Sequence, residues 1–359
     1  MAIVSFTDLL RHARQHRYAL SIIPVSSLTI LADALAAAHT QRAPVILAPI
    51  PDRSDRPSVK ALYAACETAA SEADVPIALL GYQSAAADTL AQRINLGCNA
   101  VHITPTSRNF PDAVAQIKAL AETGRACGIA IGGWLSGAPA ADDAAESEPL
   151  PPVAECIAFA ERANLEFLEV DIGGGESNKR RAKFDYDRLR RISETIAIPL
   201  MVRVEGDVLP DQIYRMIECG VALAHPSAAA SARTAAAMEE QFKAWGAAGR
   251  AAEVLAHCRP WQLVEHVIEF NVQADALPRV DEILKIGRQQ LASIPGVRRV
   301  RTGQAIAPDA KYRFCWLVTF ANEKVVAYYR DHPLHADYAN TYFRPIAGDR
   351  LTIDYRTTG

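Results

Sequence analysis

The chain has 359 residues, half of them hydrophobic, and a formal net charge of −3. That is enough apolar sequence for one large core or two, and its interspersed charges offer neither a basic face for nucleic acid nor an attraction to an anionic membrane. No apolar run reaches the ~18 residues of a membrane-spanning helix, Met1–Phe6 lacks the layout of a secretory leader, and seven scattered cysteines match no dithiol or zinc knuckle, so free thiols in a reducing cytoplasm are expected.

Strand-like and helix-like segments alternate over the first 250 residues. An amphipathic start, Phe6–His16, precedes a strand at Tyr18–Pro24 and a helix at Leu28–His39. Buried strands follow at Pro44–Ile50, Pro76–Tyr82, Ala100–Thr104 and Ile129–Leu135, with helices at Val59–Ala70, Ala85–Leu96 and Asp112–Cys127 between them. The Ala-, Pro-, Ser- and acid-rich Ser136–Pro152 reads as a loop. A helix over Val153–Ala163 leads to the stretch Phe167–Ser177. There Leu168, Val170 and Ile172 alternate with Glu169 and Asp171, and the run ends in Gly173-Gly174-Gly175-Glu176-Ser177. A strand entering a glycine-rich turn is one way to cradle a phosphate or carboxylate; a tight loop after a buried strand is the plainer reading. Helix Tyr186–Thr195, strand Pro199–Val204, helix Pro210–Cys219, strand Val221–His225 and an Ala-rich helix over Ala228–Cys258 complete the series.

Eight continuous apolar strands separated by helices predict an α/β fold, a (β/α)8 TIM barrel, with chemistry at the carboxyl ends of the strands. Tyr82, Gln83, Trp134, Asp171, Glu176, Arg203, Glu205 and His225 fall there.

The pattern changes near Trp261. Strand Leu263–Val272, helix Ala276–Ser293, strands Val297–Gly303 and Tyr312–Phe320, helix Glu323–Arg330 and strand Arg350–Tyr355 give a β-α-β-β-α-β order. That order predicts a small α+β, ferredoxin-like domain with helices on one face of an antiparallel sheet. The expected domains are 1–258 and 259–359.

Several words of the first domain carry a resemblance. They are Tyr18-Ala19-Leu20, Pro44–Leu47, Val75–Leu79, Ile172-Gly173, Phe184–Leu189, Ile198-Pro199-Leu200 and Glu218–Val221. Through them Ile3–Ala252 resembles the class II fructose-bisphosphate (ketose-bisphosphate) aldolases. The resemblance implies a TIM barrel that holds a divalent metal through three histidines and moves a proton with an aspartate. This chain departs from the catalytic words of that family. Tyr82 stands at the aspartate, and Gln83, Glu176 and Arg203 stand at the histidines. Trp134 stands at a fifth-strand glutamate, Val204–Asp207 replace a phosphate-binding Gly-Gly-Ser-Gly, Pro24-Val25-Ser26 replace Asn-Val-Asn, and His225–Ala229 replace Asn-x-Asn-Thr-Asp. Glutamine, glutamate and arginine do not make a zinc site, and arginine brings a fixed positive charge.

No metal and no cofactor is therefore expected. The expected ligand is a small anionic or carbonyl compound, bound by Gly173, Gly174, Gly175, Ser177, Gln83 and Trp134. A guanidinium standing in for the metal, Arg203 with Glu176 or Asp171 as a buried ion pair or a bidentate anion binder, is one arrangement; an ion pair that only replaces lost metal bonding is the plainer one. A relocated metal set of His102, Asp171, Glu205 and His225 is the alternative, as is metal-independent lyase or isomerase chemistry by Arg203, Glu176, Glu205, Asp171 and Tyr82.

The second domain resembles the stress-responsive A/B barrel (Dabb) family over Val264–Tyr355. The words are Glu265–Phe270, Ile294–Val297, Tyr312 with Leu317–Phe320, Tyr329–His335 and Asp349–Tyr355. Members are usually dimers packed sheet on sheet, so a homo-oligomer is implied. A few catalyse cofactor-free aldol cyclisation with a histidine and a tyrosine, positions matched by His335 and Tyr329. Phe314 stands where an active pocket has another histidine, and in the plainer reading the His-Pro-x-His word fixes a helix end.

Overall fold

The computed structural model describes residues 3–50, 56–84, 87–135, 150–172, 184–204, 208–226 and 234–357. It divides into two compact units, one made of Met1–Ala86, Cys98–Gly124 and Ala130–Pro260, the other of Ala87–Gly97, Arg125–Ile129 and Trp261–Gly359.

In chain order the first part of the chain runs α1 (Phe6–Gln15), β1 (Leu20–Val25), α2 (Leu28–Gln41), β2 (Val45–Pro49), α3 (Arg56–Glu72), β3 (Ile77–Ser84), α4 (Ala87–Asn95), β4 (Ala100–Thr104), α5 (Phe110–Ala126), β5 (Ala130–Trp134), α6 (Val153–Arg162), β6 (Phe167–Glu169), α7 (Tyr186–Thr195), β7 (Leu200–Val204), α8 (Pro210–Glu218), β8 (Val221–Pro226), α9 (Ala235–Ala244) and α10 (Ala251–His257). β1 to β8 pair in parallel, each with its neighbours in sequence, and β1 closes on β8 to make the predicted barrel. Strands such as Val45–Pro49 are buried throughout because each faces packed side chains inside and helices outside. The barrel interior is tight. A Cβ on Gly132 would come within 2.1 Å of the Phe167 ring, so β5 must have glycine where β6 places an aromatic. Asn99 closes the amino-terminal end, its amide donating to the Val4 carbonyl (2.7 Å) and its side-chain oxygen accepting from the Leu79 N–H (3.0 Å).

One expectation is corrected in the closing helix. The Ala-rich run is two helices, α9 and α10, not one, because Gly246 and Gly249 between them take φ of 71° and 78°. A left-handed glycine ends a helix.

The rest of the chain builds β9 (Val264–Val272), a 3-10 turn over Ala274–Arg279, α11 (Val280–Leu291), β10 (Val297–Gln304), β11 (Phe314–Phe320), α12 (Lys324–Asp331), α13 (Pro333–Tyr338) and β12 (Ala347–Arg356). The sheet is antiparallel in the order β10-β11-β9-β12. Phe270, Phe314, Trp316, Val318 and Phe320 are buried on one of its faces. The helix expected over Ala276–Ser293 begins as 3-10 because Pro278 lies in its first turn.

Candidate functional site

At the carboxyl ends of the barrel strands the side chains of β3, β4, β6, β7 and β8 converge. Glu169, on β6, is 5% exposed. An isolated carboxylate at that depth would give up its charge, but Glu169 has partners on two strands. His102 Nε2 of β4 lies 2.9 Å from Oε2. Arg203 of β7 donates from Nε to Oε1 at 3.2 Å and from Nη2 to Oε2 at 3.5 Å, with Nη2 also 3.1 Å from Oε1. Burial pushes the Glu169 pKa up, but His102, Arg203 and His225 outweigh it and hold the carboxyl below its ordinary value. Glu169 is therefore ionised in the fold.

Tyr82 lies between the two histidines, its ring 5.3 Å from those of His102 and His225. The strand registers account for this. Tyr82 pairs with His102 across β3 and β4, and Arg203 with His225 across β7 and β8, so each pair projects to one side. Among the described residues, the Tyr82 hydroxyl and both His225 ring nitrogens are buried without a hydrogen-bond partner. Burial, with the Arg203 charge, lowers the His225 pKa to about 4, and burial raises that of Tyr82 well above its usual value. Near neutral pH the imidazole is uncharged and the phenol protonated. Arg203 holds one face on Glu169 and keeps a side-chain exposure of 48%, so its remaining N–H groups face the opening.

Among the described residues Arg203 pairs with Glu169 and not with Asp171, one of its two expected partners, because Glu169 is buried under the guanidinium while Asp171, past the end of β6, is exposed; Glu176, the other, lies outside the described residues. Trp134 ends β5, half-buried and in register with Glu169. Gln83 lies on β3 in register with Ile103. Gly173, Gly174, Gly175, Glu176, Ser177 and Glu205 lie outside the described residues. Glu169 is the central residue that sequence reasoning missed. The signal is a charged side chain inside an otherwise apolar strand, which in the sequence looks like the polar half of an alternation.

In the second unit Tyr329 and His335 are together, ring centroids 4.4 Å apart. Tyr329 is 4% exposed and packs against Phe320 (4.8 Å) and His266 (6.0 Å). His335 Nδ1 is 2.9 Å from the Arg330 carbonyl, and His332 Nδ1 accepts from the Leu334 N–H at the start of α13. The His-Pro-x-His word thus joins two short helices. His266 Nδ1 lies 2.6 Å from Asp354 Oδ1 on β12.

A family profile, Fructose-bisphosphate aldolase class-II, matches residues 4–272, and a second, Stress responsive A/B Barrel Domain, matches residues 264–357. The first spans most of the chain, which belongs to the class II fructose-bisphosphate aldolase family and carries a C-terminal Dabb domain. Among solved structures the chain is similar to a candidate fructose-1,6-biphosphate aldolase from Coccidioides immitis, at 19% identity and a TM-score of 0.59 over 69% of this chain and 98% of that one. It is also similar to the YdjI aldolase from Escherichia coli K12, at 16% identity and a TM-score of 0.56 over 69% and 99%. A Dabb family protein with a ferredoxin-like fold from Mesorhizobium loti matches at 25% identity over 27% of this chain and 99% of that one, with a TM-score of 0.26.

Proposed function

We propose that this barrel has exchanged metal-dependent aldol cleavage for recognition of a small anionic or carbonyl ligand, of the sugar-phosphate class its family implies, and that the Dabb domain joins copies of the chain. The observation that carries the reading is the Arg203–Glu169–His102 contact at the mouth. In the aldolases the chain resembles, Arg203 stands at a metal histidine. The donor set does not fit a divalent cation. Both Glu169 oxygens are engaged, His102 Nε2 faces one of them, and a guanidinium stands where a cation would sit. No step is therefore derived through a metal.

The same arrangement suits an anion. A guanidinium fixed on one side by a buried carboxylate offers its outer N–H groups to a phosphate or carboxylate with little loss of side-chain freedom. The Tyr82 hydroxyl and His225 nitrogens, without partners among the described residues, add a donor and an acceptor. A buried polar atom without a partner costs about 1–3 kcal/mol, which a ligand hydroxyl or carbonyl would recover. Binding is favoured over proton transfer, because a base with a pKa of about 4 is a poor proton acceptor near neutral pH.

Fructose 1,6-bisphosphate and inorganic phosphate serve as probes. Each should raise the thermal midpoint of the wild-type chain, by an amount equivalent to about 2.7 kcal/mol at a hundredfold excess over Kd, and neither should move that of Arg203→Ala. Addition of zinc should produce no cleavage of fructose 1,6-bisphosphate. Zinc-dependent turnover, or an unchanged response in Arg203→Ala, would overturn the reading.

A further inference from the structure

A second cluster of ligating side chains lies in the barrel unit, away from the mouth. α1 brings His12 and the capping residue His16 to one face, four positions apart, and α10 does the same with Glu253 and His257. The His12 and His16 rings stack at 4.1 Å, and the His257 ring is 5.8 Å from that of His12. Glu253 Oε1 lies 3.0 Å from His16 Nδ1 and 3.7 Å from His12 Nε2. One ligand atom from each of these three residues falls within 4.8 Å of the others.

A carboxylate–histidine ion pair at adjoining helix ends explains the His16–Glu253 contact. It does not explain His12. That side chain is 5% exposed, and its Nε2, 3.7 Å from Glu253 Oε1, is buried with no hydrogen-bond partner among the described residues. A ring nitrogen left without a partner at that depth is costly unless something binds it. The other ring nitrogen is held, with Nδ1 3.0 Å from the Tyr18 hydroxyl, itself fully buried.

We propose that His12, His16 and Glu253 form a binding site for a divalent transition cation of the zinc class. Two imidazoles and a carboxylate suit such an ion. Ligand atoms around a tetrahedral zinc are about 3.3 Å apart, given bonds of about 2.0–2.1 Å, and the two measured separations from Glu253 Oε1 bracket that value. Tyr18 is the outer partner that orients His12 and selects the tautomer with Nε2 free. Arg250 donates to Glu253 Oε2 at 3.0 Å, which leaves Oε1 to ligate. His257 Nδ1 faces the Glu253 carbonyl at 2.7 Å and fixes the helix end beside the site. His16 and Glu253 retain side-chain exposures of 40% and 31%, so a fourth position opens to water.

This site shares no residue with the mouth. The protein can carry zinc while the mouth holds none, so metal content alone does not test the proposed function. The test is calorimetric titration of zinc into the EDTA-stripped full-length chain at about pH 7.5, since metal binding needs deprotonated ligands. The wild type should take up one equivalent. Even an outer-shell partner is worth about tenfold in affinity, so His16→Ala and the isosteric Glu253→Gln, both at partly exposed positions, should each weaken uptake by more than that. His225→Ala and Arg203→Ala should bind zinc as the wild type does. No uptake by the wild type, wild-type uptake by both His16→Ala and Glu253→Gln, or a loss that follows His225→Ala instead would overturn the proposal.

Discussion

Glu169 decides the chemistry of the mouth. Replacing it with glutamine keeps its shape but leaves Arg203 without its counter-charge, and losing one partner of a buried pair costs about 3 kcal/mol. Chemical denaturation of Glu169→Gln should show a loss of that order, reduced to the extent that the half-exposed Arg203 turns to water. His225 sets a pH dependence. Its pKa falls from the ordinary 6.5 to about 4 on folding, so between those values the unfolded chain binds more protons than the folded one. Stability therefore falls as the pH drops through that window and levels off below it, a loss of about 3 kcal/mol from this group. Glu169, its carboxyl held below the ordinary value, adds a loss of the same sign as the pH falls below about 4.5. Denaturant midpoints from pH 7 to 4 should slope less steeply in His225→Leu than in the wild type.

The elements carry a different lesson. Strand and helix spacing was legible because apolar runs bounded by Pro and Gly can be buried in few ways, and the β-α-β-β-α-β order likewise announced the small sheet. Three features were not legible. The α9–α10 break depends on glycine dihedrals within a run whose composition favours helix. α13 is six residues starting at Pro333, too short to show a periodicity. The Glu169–Arg203 pairing depends on barrel stagger, which brings residues 34 positions apart to one layer and leaves Asp171 above it. Packing between elements can be tested at two glycines. A Cβ on Gly287 of α11 would lie 2.4 Å from Tyr338 and 2.6 Å from Trp316, and one on Gly132 would strike Phe167. Gly287→Ala and Gly132→Ala should each lower stability by about 1–3 kcal/mol, the usual penalty of overpacking, as read from urea midpoints.

At the level of the full chain, no helix among the described residues is long and apolar enough to cross a membrane. β12 exposes Leu351, Ile353 and Tyr355, with relative exposures of 43%, 37% and 50%, at alternate positions and so on one face of the sheet. Val267 and Leu317 continue that row across β9 and β11. A second copy packing sheet on sheet would cover it, which supports the oligomer proposed from the Dabb domain. Ile353→Asp should shift the mass measured by sedimentation toward that of the single chain, with the thermal unfolding of the barrel unchanged.

The account turns on whether the mouth binds an anion through Arg203 without a metal. Calorimetric titration of fructose 1,6-bisphosphate into the wild-type chain in excess EDTA measures this most directly. Saturable binding that survives EDTA and disappears in Arg203→Ala is the predicted result. Binding or cleavage that EDTA abolishes and zinc restores would contradict it, provided the same response persists in His16→Ala, where zinc uptake by the α1–α10 cluster should be weakened.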